Sequence, residues 1–313
     1  MLIGVVAAAL AVGGLTASSG AAEVSSGTPS ISLAIAPTAA QSEFGRAHGA
    51  LAIPTKVVDG AHVATYLPGL RVQVRVPKMR KAPLVVLIPG GAWATSDPAG
   101  LVPLAARLTE DGVTTSLLTY DTTGTGTRFP MAVDEVACGI RWSVRKARRL
   151  GHPVTKVIVL GHSAGGQLAS LVTFSGNEFG RDCRYPAVTI DGLIGMAGVY
   201  NTDWFTSGMR LWMGTDPASA PALWKRVNPM VWLQDSDRMN PLLQTILLHG
   251  SSDQNVPYAQ TTALADALRA KGLQITGNEF VGLDHMQIIE AGIAEPPIKS
   301  WLLGLGWIRE PVR

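Results

Sequence analysis

Cysteine is scarce in this chain of 313 residues, and the usual metal-binding patterns do not occur in it. The two cysteines, Cys138 and Cys183, are too few for a small fold held together by several disulfides. One disulfide between them and two separate buried thiols both fit the sequence. Because no CxxC pair and no HExxH helix is present, we expect neither a metal ion nor another cofactor.

Charge of one sign is also scarce. The 26 basic and 23 acidic residues give a formal net charge of +3, which argues against nucleic acid or anionic lipid as a main partner. The densest basic run, residues 141–149, falls in the C-terminal half of a predicted helix, where cations suit the helix dipole. We therefore interpret this run as a solvated helix face.

The start of the chain lacks positive charge, since no Lys or Arg precedes Arg46. Residues 1–22 otherwise resemble a signal peptide, with an apolar stretch followed by small residues that offer cleavage near Ala21 or Ala22. The stretch is too short and too rich in glycine to span a membrane well. We expect a secreted protein without stable membrane insertion; a disordered Ala-rich tail is the alternative.

The remaining chain has no internal repeat and is long enough to form a substantial core. Residues 23–55 are rich in Ala, Ser, Gly and Pro and are predicted to be an arm or linker before a domain at 56–313. Its first two β-like runs, 57–68 and 70–77, predict an antiparallel hairpin.

Short, solidly apolar runs and amphipathic helices then alternate. The runs, typical of strands buried on both faces, are 84–89, 113–120, 156–161, 190–198, 245–250 and 275–282. The clearest helices are 131–150 and 258–271, the second ending at Gly272. This order predicts an α/β fold with a mostly parallel central sheet, helices on both faces, and a functional site at the carboxyl ends of the strands.

The sequence GHSAG at 161–165 interrupts this pattern between an apolar strand and a helix. It predicts a tight, strained turn with Ser163 at its apex, where the flanking glycines remove side chains that would collide. The turn exposes the hydroxyl at the N-terminus of a helix, whose dipole favours developing negative charge. Ser163 is therefore the candidate nucleophile.

A serine nucleophile needs a base and an acid, which follow this type of turn in the order acid, then histidine. Of the two histidines downstream, His249 ends a predicted strand and is assigned a packing or capping role, which leaves His285 as the base. Asp253, on the loop after the same strand, is the candidate acid. The other acids considered, less well placed along the chain, are Asp235, Asp237 and Asp284.

An acyl-transfer site also needs hydrogen-bond donors for the oxyanion. The backbone N–H of Ala164, directly after the nucleophile, is one candidate. The loop PGGAW after the strand 84–89 supplies the others, the N–H groups of Gly91 and Ala92.

These motifs, over about residues 56–308, resemble those of the α/β-hydrolase superfamily. More narrowly, the chain resembles capless carboxylesterases of the hormone-sensitive-lipase-like and acetyl xylan or feruloyl esterase group. IPGGAW resembles the family's HGGxW, TRFPMAVDEVACGIRW its FP followed by an acidic helix ending in RW, and HGSSDQNVP its HGxxDxxVP. Two positions depart from that pattern. Pro89 stands where the family often has His, and Asp121, directly after Tyr120, stands where the family commonly has Arg after Tyr.

The resemblance implies a secreted serine esterase acting on small acyl or aryl esters, including acetyl or feruloyl groups carried by plant polysaccharide. The segment 201–234 contains Trp204, Trp212, Trp224 and Trp232 and is expected to cover part of the pocket. Trp93, Trp204 and Phe205 are the expected substrate contacts. The alternatives are a peptidase or amidase of the prolyl-oligopeptidase type and a non-catalytic binding protein with the same fold. The sequence does not indicate an oligomeric state.

Overall fold

The computed structural model describes residues 56–310. The predicted signal peptide at 1–22 and the predicted arm at 23–55 lie outside the described residues.

A nine-stranded sheet forms the centre of the described chain, in the order β1-β2-β3-β5-β4-β6-β7-β8-β9. The first three strands and the β3–β5 pair are antiparallel, whereas β5, β4, β6, β7, β8 and β9 run parallel. The strands are β1 (Lys56–Val58), β2 (Ala61–Leu67), β3 (Leu70–Arg75), β4 (Ala82–Ile88), β5 (Thr114–Leu118), β6 (Val154–His162), β7 (Gly192–Met196), β8 (Gln244–Gly250) and β9 (Gln274–Phe280). The predicted α/β fold, with a mostly parallel central sheet and an antiparallel N-terminal hairpin, is confirmed.

One predicted strand is wrong in detail. The run 57–68 divides into β1 and β2 at Asp59 and Gly60, whose φ angles of 47° and 74° lie in the left-handed region. Apolar residues stand on both sides of this turn, so periodicity alone does not separate the two strands.

Helices cover both faces of the sheet, as predicted. They are α1 (Val102–Glu110), α2 (Met131–Arg149), α3 (Ala164–Phe174), α4 (Thr206–Met213), α5 (Pro221–Arg226), α6 (Pro229–Gln234), α7 (Ala259–Ala270) and α8 (Ala291–Gly304). No helix among residues 56–310 combines the length and the apolar character that crossing a bilayer requires.

Alternate residues of the central strands pack into two separate cores. Leu84, Val86 and Ile88 of β4 join the core under α2, α3 and α7, whereas Val85 and Leu87 join the core under α1 and α8. This two-residue period is the geometric reason why strands buried on both faces are apolar at every position.

Helix α2 is fixed at its middle to the segment after α3. Cys138 and Cys183 form a disulfide with a Cα–Cα distance of 5.4 Å. The guanidinium of Arg141 donates to the carbonyls of Gly180 and Phe179. The solvated-face interpretation of residues 141–149 is therefore wrong for Arg141, which is buried.

Candidate active site

Ser163 lies between β6 and α3 in the strained turn that the sequence predicts. Its φ and ψ are 55° and −123°, a conformation that non-glycine residues rarely adopt. A Cβ atom on Gly161 would lie 2.2 Å from the carbonyl oxygen of Gly165, and one on Gly165 would lie 2.3 Å from that of Ile88. The two flanking glycines are therefore required by the close approach of the backbone.

Asp253 and His285 follow the neighbouring strands β8 and β9, and the structure brings their side chains together. His285 Nδ1 and Asp253 Oδ2 are 2.6 Å apart. The other carboxylate oxygen, Oδ1, accepts the N–H groups of Asn255 at 2.8 Å and Val256 at 2.9 Å. Asp235, Asp237 and Asp284 make no contact with His285 among the hydrogen bonds and ion pairs of the described chain.

His249 contacts the same carboxylate, which sequence reasoning missed. Its Nε2 lies 3.1 Å from Asp253 Oδ2 and 3.0 Å from the carbonyl of Val256, and its Nδ1 lies 2.7 Å from Thr261 Oγ1. Because the two Nε2 partners are both acceptors, Nε2 carries the proton and donates. The sequence carried one indication of this contact: in HGSSD, the buried histidine at the end of β8 stands only four residues before the acid.

The ionised form of Asp253 is stabilised by several hydrogen bonds. Burial alone would raise its pKa, but hydrogen bonds from His249, from His285 and from the N–H groups of Val256 and Asn255 outweigh it. The pKa of Asp253 is therefore held well below its ordinary value, and the group stays ionised beside His285.

His162, directly before Ser163, is a second residue that sequence reasoning missed. Its Nε2 donates to the backbone carbonyl of His285 at 2.9 Å, and the two rings lie 4.6 Å apart. Burial, together with the neighbouring imidazole of His285, lowers the pKa of His162 to about 4. A neutral His162 thus fixes the backbone of the candidate base. The histidine inside GHSAG was its only signal.

The loop after β4 has an unusual backbone. Gly91, Ala92 and Trp93 have φ angles of 133°, 50° and 57° in succession. A Cβ atom on Gly91 would lie 2.3 Å from the carbonyl oxygen of Thr95. Within the described residues, the N–H groups of Gly91, Ala92 and Ala164 make no hydrogen bond to the protein, so all three remain available as donors.

A cavity of about 680 Å³ joins these groups. The cavity is lined by Ser163, by His285 and by the three candidate oxyanion residues, together with Trp93 and Phe205.

Trp204, an expected substrate contact, does not line the cavity and is 57% exposed. The structure thus separates Trp204 from the site, because the short helix Thr202–Trp204 carries it outward while the next residue faces the cavity. Apolar lining residues that the sequence did not single out are Leu101, Val199, Val256, Met286 and Ile289.

Of the two departures from the family pattern, Pro89 is the first residue of the loop after β4, and Asp121 follows the Tyr120 that bonds to it. The carbonyl of Pro89 accepts the Tyr120 hydroxyl at 2.8 Å, which anchors the start of the loop. The N–H of Asp121 donates to Glu135 Oε2 at 2.8 Å. Burial, with the nearby Asp121 carboxylate as a further cause, raises the pKa of Glu135 to about 8.

The strained serine turn after a central parallel strand, with an acid and a histidine after the last two strands, defines this chain as an α/β-hydrolase fold. The profile of the BD-FAE family matches residues 72–268, and the chain belongs to that family.

Two curated relatives are 26% and 27% identical in sequence to this chain. The isoprenylcysteine alpha-carbonyl methylesterase ICME of Arabidopsis thaliana matches over 66% of this chain and 51% of its own length. Esterase LipQ of Mycobacterium tuberculosis matches over 75% of this chain and 60% of its own length. The chain therefore spans less than two thirds of the length of these relatives.

Solved esterase structures have a similar fold. A thermophilic esterase from Thermogutta terrifontis with bound butyrate has a TM-score of 0.66 and 21% identity, over 81% of this chain and 97% of its own. An acetyl ester-xyloside bifunctional hydrolase from Caldicellulosiruptor lactoaceticus has a TM-score of 0.65 and 20% identity, over 77% of this chain and 89% of its own.

Proposed function

We propose that the protein is a serine hydrolase that cleaves carboxylic esters through an acyl-enzyme on Ser163. The observation that carries this proposal is one cavity that brings together a strained serine, the Asp253-bound imidazole of His285 and three backbone N–H groups that have no protein partner among the described residues. The names of the relatives, which are esterases, support the same reaction class.

The proposed first step is acylation. Ser163 Oγ attacks the ester carbonyl while His285 Nε2 takes its proton, and the N–H groups of Gly91, Ala92 and Ala164 stabilise the resulting oxyanion. The carbon–oxygen bond to the alcohol then breaks, and His285 returns the proton to the leaving alcohol. In the second step, water attacks the acyl-enzyme with the same base, which releases the acid and restores Ser163.

The role proposed for Asp253 is electrostatic. Its bond to His285 Nδ1 fixes the tautomer in which Nε2 is free to accept the serine proton. The depressed pKa of Asp253 keeps the carboxylate charged beside the imidazolium that forms during attack. The carboxylate itself does not take the proton.

Small acyl or aryl esters are the proposed substrates. The apolar residues of the cavity, among them Leu101, Phe205 and Ile289, suit an acyl or aryl group. Esters carried by plant polysaccharide belong to the same proposal, and one solved structure of similar fold is named an acetyl ester-xyloside hydrolase. We further propose secretion, with which the Cys138–Cys183 disulfide is compatible, since disulfides persist in oxidising compartments.

The test is hydrolysis of p-nitrophenyl esters from acetate to palmitate by the wild type, Ser163→Ala and the control Ser300→Ala, an exposed serine of α8. We expect turnover by the wild type and the control and a loss of more than about 10³-fold in Ser163→Ala. The acyl length with the highest kcat/KM gives the size of the acyl pocket.

Two outcomes would contradict the proposal. Faster turnover of aminoacyl p-nitroanilides than of any ester would indicate a peptidase or amidase. Binding of esters without turnover, equal in wild type and Ser163→Ala, would indicate a non-catalytic binding protein.

A further inference from the structure

A buried hydrogen bond joins the loop after β4 to the helix that follows the nucleophile. Trp93 Nε1 donates to Gln167 Oε1 at 3.1 Å. The Trp93 side chain is 1% exposed and that of Gln167, in α3, is fully buried. Across the described residues, no other side chain of α3 hydrogen-bonds to this loop.

The loop needs such an anchor because its backbone is strained. Ala92 and Trp93 both have positive φ angles although both carry a Cβ atom, and such residues keep this conformation only where the surroundings impose it. On the other side of the loop, the N–H of Thr123 donates to the Trp93 carbonyl at 2.9 Å and the Thr122 hydroxyl to the Ala94 carbonyl at 2.9 Å. These bonds fix the loop to residues 122 and 123, whereas the bond from Trp93 to Gln167 ties it to the helix that begins directly after Ser163.

Gln167 is itself fixed in one orientation. Its Nε2 donates to the carbonyl of Val227 at 2.8 Å, while its Oε1 accepts from the indole. An indole N–H can only donate and a carbonyl can only accept, so the two partners determine which end of the amide faces which.

A chain of buried and half-buried amides continues from there. Asn228, next to Val227, donates to Asn201 Oδ1 at 3.3 Å, and the N–H of Asn201 donates to Gln260 Oε1 at 2.6 Å. Gln260 lies in α7, one residue before the Thr261 that contacts His249. The anchor of the loop after β4 therefore belongs to a network that reaches the helix behind the acid.

We infer that Gln167 is a positioning residue for the oxyanion site: by holding the Trp93 indole, it sets the N–H groups of Gly91 and Ala92 at a fixed distance from Ser163. This inference rests on the proposed esterase reaction. Trp93 lines the cavity, as the expected substrate contact would, and its indole also bonds to Gln167, which does not line the cavity. Both side-chain hydrogen bonds of Gln167 are made within the protein and its side chain does not line the cavity, so its effect on the reaction would pass through Trp93.

The test uses two variants that break this bond, Trp93→Phe and Gln167→Met, and one matched control, Trp212→Phe. Trp212 stacks on Trp93 at 5.6 Å, is equally buried and does not line the cavity. Its indole N–H has no hydrogen-bond partner among the described residues. Both tryptophan changes thus remove a similar volume, but only Trp93→Phe removes a hydrogen bond.

For ester hydrolysis we expect Trp93→Phe and Gln167→Met to lower kcat by about 10- to 100-fold with KM changed less than about 3-fold, because oxyanion donors act mainly in the transition state. A trifluoromethyl ketone, which forms a tetrahedral adduct with the serine, should bind more weakly by the same factor. The double variant should lose no more than the worse single variant, since both changes break one interaction. Trp212→Phe should keep its kcat within about 3-fold.

Equal loss of kcat in Trp93→Phe and Trp212→Phe would overturn the inference, as would a loss confined to KM. A loss of thermal stability with unchanged kcat in Gln167→Met would also overturn it, by showing a structural role alone. If one variant does not fold, the other decides between these outcomes. A wild type without esterase turnover would instead overturn the proposed function, so the two failures are distinct.

Discussion

The carboxyl group of Glu135 lies beside a second acid, Asp121. Its Oε2 accepts the Asp121 N–H, and burial raises its pKa to about 8, against an ordinary value of 4.5. Folded Glu135 therefore holds a proton that the unfolded chain releases. Between pH 4.5 and about 8 the folded state binds more protons than the unfolded state, so the free energy of unfolding falls as the pH rises.

We predict that Glu135→Gln removes this dependence. The glutamine keeps an acceptor for the Asp121 N–H but does not titrate. The free energy of unfolding of the variant should therefore rise relative to that of the wild type, by up to a few kcal/mol, as the pH rises from about 5 to 9. Urea unfolding at both pH values measures the gain. Glu110→Gln, which changes an exposed glutamate of α1, is the control and should follow the wild type. A constant difference between Glu135→Gln and wild type would show that Glu135 titrates normally.

At the scale of elements, the disulfide is the covalent link between α2 and the segment that follows α3. It joins residues 45 positions apart, and closing a loop of this length in the unfolded chain corresponds to about 4 kcal/mol at 25 °C. We predict that the double variant Cys138→Ala, Cys183→Ala loses about 2–4 kcal/mol of unfolding free energy. Wild type treated with a reductant should show the same loss. An unchanged midpoint, with two thiols titrated in the native wild type, would mean that the disulfide does not form.

Most of the elements could be predicted because burial leaves a period in the sequence. Strands such as β4, apolar at every position, and helix α2, with one apolar stripe, show their environment directly. The turn that separates β1 from β2 could not be found in this way, because both sides of it are apolar. The short helices α4, α5 and α6 have six to eight residues each, too few for a clear period.

The site was predictable where function constrains spacing and not where it depends on tertiary contacts. The order of Ser163, Asp253 and His285 follows from the strand ends that carry them. The bond from His249 to Asp253 and the bond from Trp93 to Gln167 depend on how separate elements pack. One sequence signal did exist for the bond from Trp93 to Gln167: Gln167 is the single amide in a helix whose other polar side chains are only the hydroxyls of Ser170 and Thr173.

At the scale of the whole molecule, the proposed secretion makes a prediction about the full chain. Expressed in a secreting bacterial host, the protein should appear in the medium with a mass that corresponds to cleavage near Ala21 or Ala22. Leu10→Arg, which interrupts the apolar stretch, should stay in the cells. Full-length wild type in the cell fraction would contradict export. Mass spectrometry of both fractions distinguishes these results.

The strand order has a consequence for how the site comes into being. Asp253 and His285 lie on one continuous piece of chain, from β8 through α7 and β9 to the loop that follows β9. Strands β8 and β9 are direct neighbours in the sheet. Ser163 follows β6, and β7 must insert between β6 and β8 before the serine and the histidine can meet. The acid–base pair thus lies within one stretch of consecutive elements, whereas Ser163 meets it only when β7 pairs with both β6 and β8. The candidate site is therefore a property of the assembled β6-β7-β8-β9 part of the sheet and of no single segment of the chain.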